Sequence, residues 1–182
     1  MSRIATPASI DASPAQSRLF LEGVKKQLGV VPNMFRLIGN SPASLEGYMG
    51  LFGGLGKGTL PTATREGIAL AVAQINGCDY CLSAHTYLGK NLAKLDDTEI
   101  TANRNGASND PQADVALKFA AKIAQSRGHV STADLDVVRT AGYSDAQVIE
   151  IVMHVALNTL TNYVNEVGGT EIDFPVVTAK VA

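Results

Sequence analysis

The chain has no tryptophan, only two cysteines and three histidines among 182 residues, and aromatic residues make up 5% of it. Two cysteines are too few for a disulfide framework, and one is not needed. A single domain of this length buries about 70% of its unfolded surface and is stable without staples. Charge is also sparse, at 18% of residues with a net charge of −2, which provides no basic face for nucleic acid. No apolar run is long enough to span a bilayer. The N-terminal segment MSRIATPASIDAS lacks the apolar h-region of a secretory signal. These absences predict a cytoplasmic protein with neither nucleic acid nor membrane as a partner, in a compartment where thiols rest reduced.

Strand signals are poor as well. Gly29-Val30-Val31-Pro32 is short and broken by proline, and the segment from Ile172 to Val181 carries a proline too. Helix punctuation, by contrast, recurs along the chain. Ser13-Pro14-Ala15-Gln16 reads as a capping box opening a helix to Leu28, with Gly29 beyond its end. Ser41-Pro42 opens a second helix, predicted to weaken in the glycine-rich stretch from Leu51 to Thr59. A third spans about Thr62 to Asn76, and a fourth runs from about Cys78 to Leu95. Asp96-Asp97-Thr98-Glu99 reads as another capping box, and Asp110-Pro111 starts a helix through Ala124. Ser131-Thr132 and Ser144-x-x-Gln147 begin the last two, the second ending at Gly168-Gly169. The pattern predicts an all-α domain of seven or eight helices covering residues 1–182. Its core spans about 20–170, with 1–12 and 172–182 as peripheral arms.

Both cysteines and one histidine fall within Cys78-Asp79-Tyr80-Cys81-Leu82-Ser83-Ala84-His85. On a helix, positions i, i+3 and i+7 share a face, so Cys78, Cys81 and His85 line one stripe. Both cysteines stand in the first turn, where unpaired N–H groups and the helix dipole favour a thiolate. Thiols so placed have pKa values roughly 1 to 5 units below that of a free cysteine. The preceding helix is apolar on all sides through Ile68-Ala69-Leu70-Ala71-Val72-Ala73, so it is buried all round. Glu66, one turn before that run, needs a partner, and His85 is within reach across the helix turn. The set forms an activated nucleophile: a thiol, a base and a carboxylate behind the base.

Simpler readings stand beside this one. The two cysteines can be small buried residues, a structural disulfide, or zinc ligands together with His85 and Glu66. Structural zinc sites, however, draw ligand pairs from separate segments rather than from one helix face. Glu66 can serve its own helix dipole. His129 reads as a surface residue. His154, Asn158 and Asn162 recur every four residues on an apolar helix and read as a structural hydrogen-bonding stripe outside the catalytic set. The stretch Leu51 to Thr59 is no phosphate loop, since Gly58 follows Lys57 where Ser or Thr is required; it reads as a flexible connection near the thiols. No cofactor is expected.

The stretch Arg65-Glu66-x-Ile68-Ala69-Leu70, followed by Asn76-Gly77-Cys78-x-Tyr80-Cys81-x-x-x-His85, resembles the core motif of the alkylhydroperoxidase D (AhpD)-like proteins. These belong to the carboxymuconolactone decarboxylase superfamily. Gly29-Val30-Val31-Pro32-Asn33-Met34-Phe35-Arg36 and Ser41-Pro42 are similar to its peroxidase-related branch, and the resemblance covers about residues 20–170. It implies an all-helical fold assembled as trimers or hexamers, and reduction of hydroperoxides. Carried over by position, Cys81 is the peroxidatic cysteine, Cys78 the resolving one, His85 the base and Glu66 its orienting partner. The expected reductant is an external dithiol, a lipoyl-bearing or thioredoxin-like protein, attacking Cys78 as the more exposed sulfur. In one respect the chain departs from the family: the best-known peroxidase branch has histidine just before the second cysteine, where Tyr80 stands here. Other members decarboxylate lactones, a chemistry with no evident use for a dithiol. A non-catalytic redox sensor or scaffold is the remaining alternative.

Overall fold

The computed structural model describes residues 2–179; Met1 and residues 180–182, the outermost parts of the two expected arms, lie outside the described residues. Nine helices and no strand occur among the described residues: α1 (Ala15–Leu28), α2 (Asn33–Ile38), α3 (Pro42–Leu55), α4 (Thr62–Asn76), α5 (Asp79–Asn91), α6 (Asp97–Arg104), α7 (Pro111–Ser126), α8 (Thr132–Thr140) and α9 (Asp145–Gly168). The architecture is all-α, as the punctuation predicts, with one helix more than expected. The addition is α2, six residues entered from Pro32. Such a segment is too short to show helical periodicity, and its neighbouring Val-Val-Pro masks it.

Helix α4 lies at the centre and packs against α5, α6, α7 and α9. The all-round apolar run makes this possible: Ile68, Leu70, Ala71, Val72 and Ala73 are fully buried. On one side α4 meets a cluster built from α1, α2, α3 and α5, which includes both cysteines. On the other it meets a second cluster from α7, α8 and α9, centred on Leu117, Phe119 and Ile151. Gly67 permits the close approach of α7, because a Cβ there would lie 2.9 Å from Leu117 Cδ2.

Several local expectations are corrected. Ser13 does not cap α1: the N-cap is Pro14, without a side-chain cap bond, and Ser13 Oγ donates to Ser9 O. Asp96 caps α6, but Glu99 turns outward to Ser108 and Asn109 instead of closing the box. Ser144 and Gln147 do form a reciprocal box. Helix α3 continues through its glycines to Leu55, carried by packing of Tyr48 against Phe35 and Phe52. The turn after α3 is not a loose connection. The Glu150 carboxylate on α9 accepts the N–H groups of Thr59 and Leu60, and lies where a Cβ on Gly58 would be. Helix α5 stops at Asn91, short of Leu95, where Lys94 takes a left-handed conformation (φ 58°).

Both arms are tied to the body. Arg3 and Ile4 donate backbone N–H groups to Gly168 O at the end of α9. Residues 171–179 run extended along α5: Val177 N–H donates to Ser83 Oγ and Ala179 N–H to Asp79 Oδ1.

Candidate active site

The site is made where α4 turns into α5. Gly77 takes the left-handed conformation (φ 71°) that closes α4, a conformation costly for any residue with a Cβ. Cys78 then becomes the N-cap of α5, its Sγ accepting the Cys81 N–H at 3.5 Å. The tight hairpin lays α5 against α4 and brings His85 Nδ1 to 2.8 Å from Glu66 Oε2. All four residues predicted from the sequence are therefore brought together. Among the described residues no group of three or more His, Cys, Asp or Glu side chains is arranged to hold a metal ion.

The electrostatics assign unequal roles to the two sulfurs. A hydrogen bond from Cys78 favours the Cys81 thiolate most strongly; burial opposes it, while the charge of His85 and the amides of Asn165 and Asn162 add support. The result is a Cys81 pKa lowered to about 6. The same bond, seen from the donor, raises Cys78, and burial and the Cys81 charge push it further up. Burial pulls the His85 imidazole down, but the charge and hydrogen bond of Glu66, with the Cys81 charge, more than offset this and its pKa rises. These shifts favour the thiolate at Cys81, the thiol at Cys78 and the protonated form of His85 held by Glu66.

One expectation about exposure fails. Cys78 is not the more open sulfur: it is 0% exposed and Cys81 2%. The N-cap position folds its side chain back under the first turn of α5, within the apolar cluster.

Tyr80 points away from this proton chemistry. Its hydroxyl donates to Asp173 Oδ1 at 2.8 Å and accepts the Met34 N–H at 3.2 Å. Burial pushes its pKa up, so the phenol stays protonated and fastens α5 to α2 and to the C-terminal segment.

The α9 stripe has two parts. His154 is buried, its pKa lowered by that burial, and its Nε2 has no partner. Asn158 Nδ2 donates only to His154 O within the helix. Asn162 does bond across helices, accepting from Asn76 Nδ2 at 2.8 Å. Asn165, which the sequence reading missed, donates from Nδ2 to Cys81 Sγ at 3.2 Å. Extending the stripe 154, 158, 162 by one more turn would have reached it. His129 is exposed.

These features define a class of protein: an all-helical domain with a Cys-x-x-Cys pair at a helix start, backed by a histidine–glutamate pair. The carboxymuconolactone decarboxylase family model matches residues 42–125. A solved peroxidase-related protein from Silicibacter sp. TM1040 is 26% identical, with a TM-score of 0.79 over 91% of each chain. An AhpD-core peroxidase-related protein from Ralstonia eutropha JMP134 is 24% identical, with a TM-score of 0.84 over 94% of this chain and 92% of that one. The debrominase Bmp8, solved as a cysteine-to-alanine variant in complex with 2,3,4-tribromopyrrole, is 24% identical, with a TM-score of 0.78 over 95% and 93%. No curated protein matches the sequence. The chain has the fold of these AhpD-core proteins, and its α3–α7 segment is similar to the carboxymuconolactone decarboxylase family.

Proposed function

We propose that this protein is a dithiol-dependent hydroperoxide reductase. The observation that carries this reading is the placement of both cysteines at the start of α5, Cys78 Sγ accepting the Cys81 N–H at 3.5 Å, with His85 held by Glu66 at 2.8 Å one turn on. A Cys81 pKa lowered to about 6 supports it. Cys81 Sγ attacks the distal oxygen of a hydroperoxide, forming an S–O bond and breaking O–O. The His85 imidazolium, oriented by Glu66, protonates the departing alkoxide. The Cys78 thiol then condenses with the Cys81 sulfenic acid, releasing water and closing a disulfide. His85, now neutral, takes the Cys78 proton and passes it to the departing hydroxide. An external dithiol on a lipoyl-bearing or thioredoxin-like protein attacks the disulfide and returns both thiols. Because Cys78 is buried, that attack requires the first turn of α5 to open.

The remaining expectations enter here too. The protein works in the cytoplasm as a homo-oligomer, a trimer or hexamer. Ile149, Val152, Leu160, Tyr163 and Val167 support self-association, since they form an exposed apolar stripe along α9. A second reading, thiol-driven removal of a halogen, is favoured by the likeness to Bmp8. The lactone decarboxylase and the passive sensor leave the imidazolium–thiolate pair without a turnover role.

The test is intact mass after one equivalent of an organic hydroperoxide, with a thiol count, then dihydrolipoamide. Loss of two hydrogens and both thiols, recovery by the dithiol, and continued peroxide consumption are expected. Oxidation that occurs once without turnover would make the protein a sensor. No mass change with hydroperoxide, but debromination of tribromopyrrole, would transfer the site to the second reading.

A further inference from the structure

We propose that Asn162 and Asn165 form the subsite that recognises the hydroperoxide group and holds it against Cys81, an inference that rests on the hydroperoxide reading above. Asn165 Nδ2 is 3.2 Å from Cys81 Sγ, so this carboxamide touches the reacting atom. Its Oδ1 is buried and has no hydrogen-bond partner. One turn earlier on the same face, Asn162 Oδ1 is held by Asn76 Nδ2 at 2.8 Å. That bond fixes the amide with its buried Nδ2 on the side of Cys81, whose negative charge it favours, but with no partner at full hydrogen-bond geometry. The two side chains belong to residues 0% and 2% exposed.

Buried side-chain polar atoms are nearly always paired, and leaving one unpaired is costly. Here an acceptor and a donor are left free together, beside a thiolate. A ligand with one donor and one adjacent acceptor completes both, and a hydroperoxide has that pattern in its O–H and its neighbouring oxygen. Asn165 Oδ1 accepts the O–H of the distal oxygen, while Asn162 Nδ2 donates to the alkoxy oxygen.

The same two contacts serve the chemical step. The sulfur electron pair forms the S–O bond, the O–O pair moves to the alkoxy oxygen, and sulfur is oxidised as the peroxide is reduced. Asn162 N–H faces the oxygen on which charge grows, where a fixed donor has most effect. The proton for that oxygen comes from His85. The distal O–H survives the step as the sulfenic acid hydroxyl, so Asn165 Oδ1 keeps its donor until Cys78 displaces water. Dialkyl peroxides, lactones and aryl halides lack this O–H, and the subsite selects against them.

The experiment measures oxidation of the reduced protein by cumene hydroperoxide and by an aromatic disulfide, each rate divided by the thiolate fraction from ultraviolet titration. In Asn165→Ala and Asn162→Leu the hydroperoxide rate should fall about 10- to 100-fold, while the disulfide rate follows the thiolate fraction alone. Asn76→Ala, which releases Asn162 without touching the thiols, should show the same selective loss to a smaller degree. An equal fall with both oxidants, or no fall with hydroperoxide, overturns the subsite. A wild-type protein that reacts with the disulfide and not with hydroperoxide overturns the underlying reading instead.

Discussion

At Cys81, one sulfur collects most of the favourable interactions the site offers. It receives a hydrogen bond from Cys78, another from Asn165 and the charge of His85, and these outweigh the cost of burial. Ultraviolet titration of the reduced protein should therefore show one thiolate appearing with a midpoint of about 6, with the second thiol silent through neutrality. His85→Ala removes the cation and should raise that midpoint by about one unit. Glu66→Gln weakens the hold on the imidazolium and should raise it by less. An unchanged midpoint in both variants would remove His85 and Glu66 from the site.

Helix α5 is positioned from both sides. Its thiol face meets α4 and α9, while Asp79, Tyr80 and Ser83 on the other side bond to the C-terminal segment. Phe174 adds ring contacts to Tyr80 and Tyr87. Tyr80→Phe removes a hydroxyl that serves both Asp173 and Met34 N–H. It should cost about 1–3 kcal/mol, measured by denaturant unfolding, and should speed proteolysis within residues 171–179. Unchanged cleavage would show that Tyr80 does not hold that segment. Gly77→Ala forces a Cβ into a left-handed turn and should cost about 1 kcal/mol while moving Cys78 out of its capping position, read as a raised Cys81 midpoint.

For the molecule as a whole, the lowered Cys81 pKa links stability to pH. The folded value lies below the unfolded one, so the contribution is complete above the unfolded pKa and is lost as pH falls through about 6. His85 has the opposite sign: its raised pKa stabilises at low pH, and this is lost as pH rises through the folded value. The reduced protein should lose on the order of 2 kcal/mol more than Cys81→Ser between pH 8 and pH 5, measured by denaturant melts. Parallel curves would contradict a resting thiolate. The α9 stripe belongs to the same scale. Leu160→Glu or Tyr163→Asp should reduce the particle mass in light scattering to that of one chain, and an unchanged mass would assign the stripe no role in assembly.

Much of this was legible in the chain because it depends on local spacing. Helix starts and stops follow from caps, prolines and glycines. The shared face of Cys78, Cys81 and His85 follows from the helical repeat, and the buried position of α4 follows from an apolar run with no polar side. What depended on contacts outside each helix's own spacing was not legible. Whether Ser13 or Pro14 caps α1 is set by Ser9, and Glu99 is drawn off its box by the loop at Ser108. The glycine-rich turn is fixed by Glu150, some ninety residues away in sequence. Asn165 reaches Cys81 only because α9 folds back across α5, and Tyr80 is taken from the proton path by Asp173. The sequence by itself determined the helices and the chemical types at the site, since both are matters of periodicity and residue identity. Only the tertiary structure decided which sulfur is the thiolate, how deeply both are buried and which amides face them, because charge, desolvation and long-range hydrogen bonds act through space.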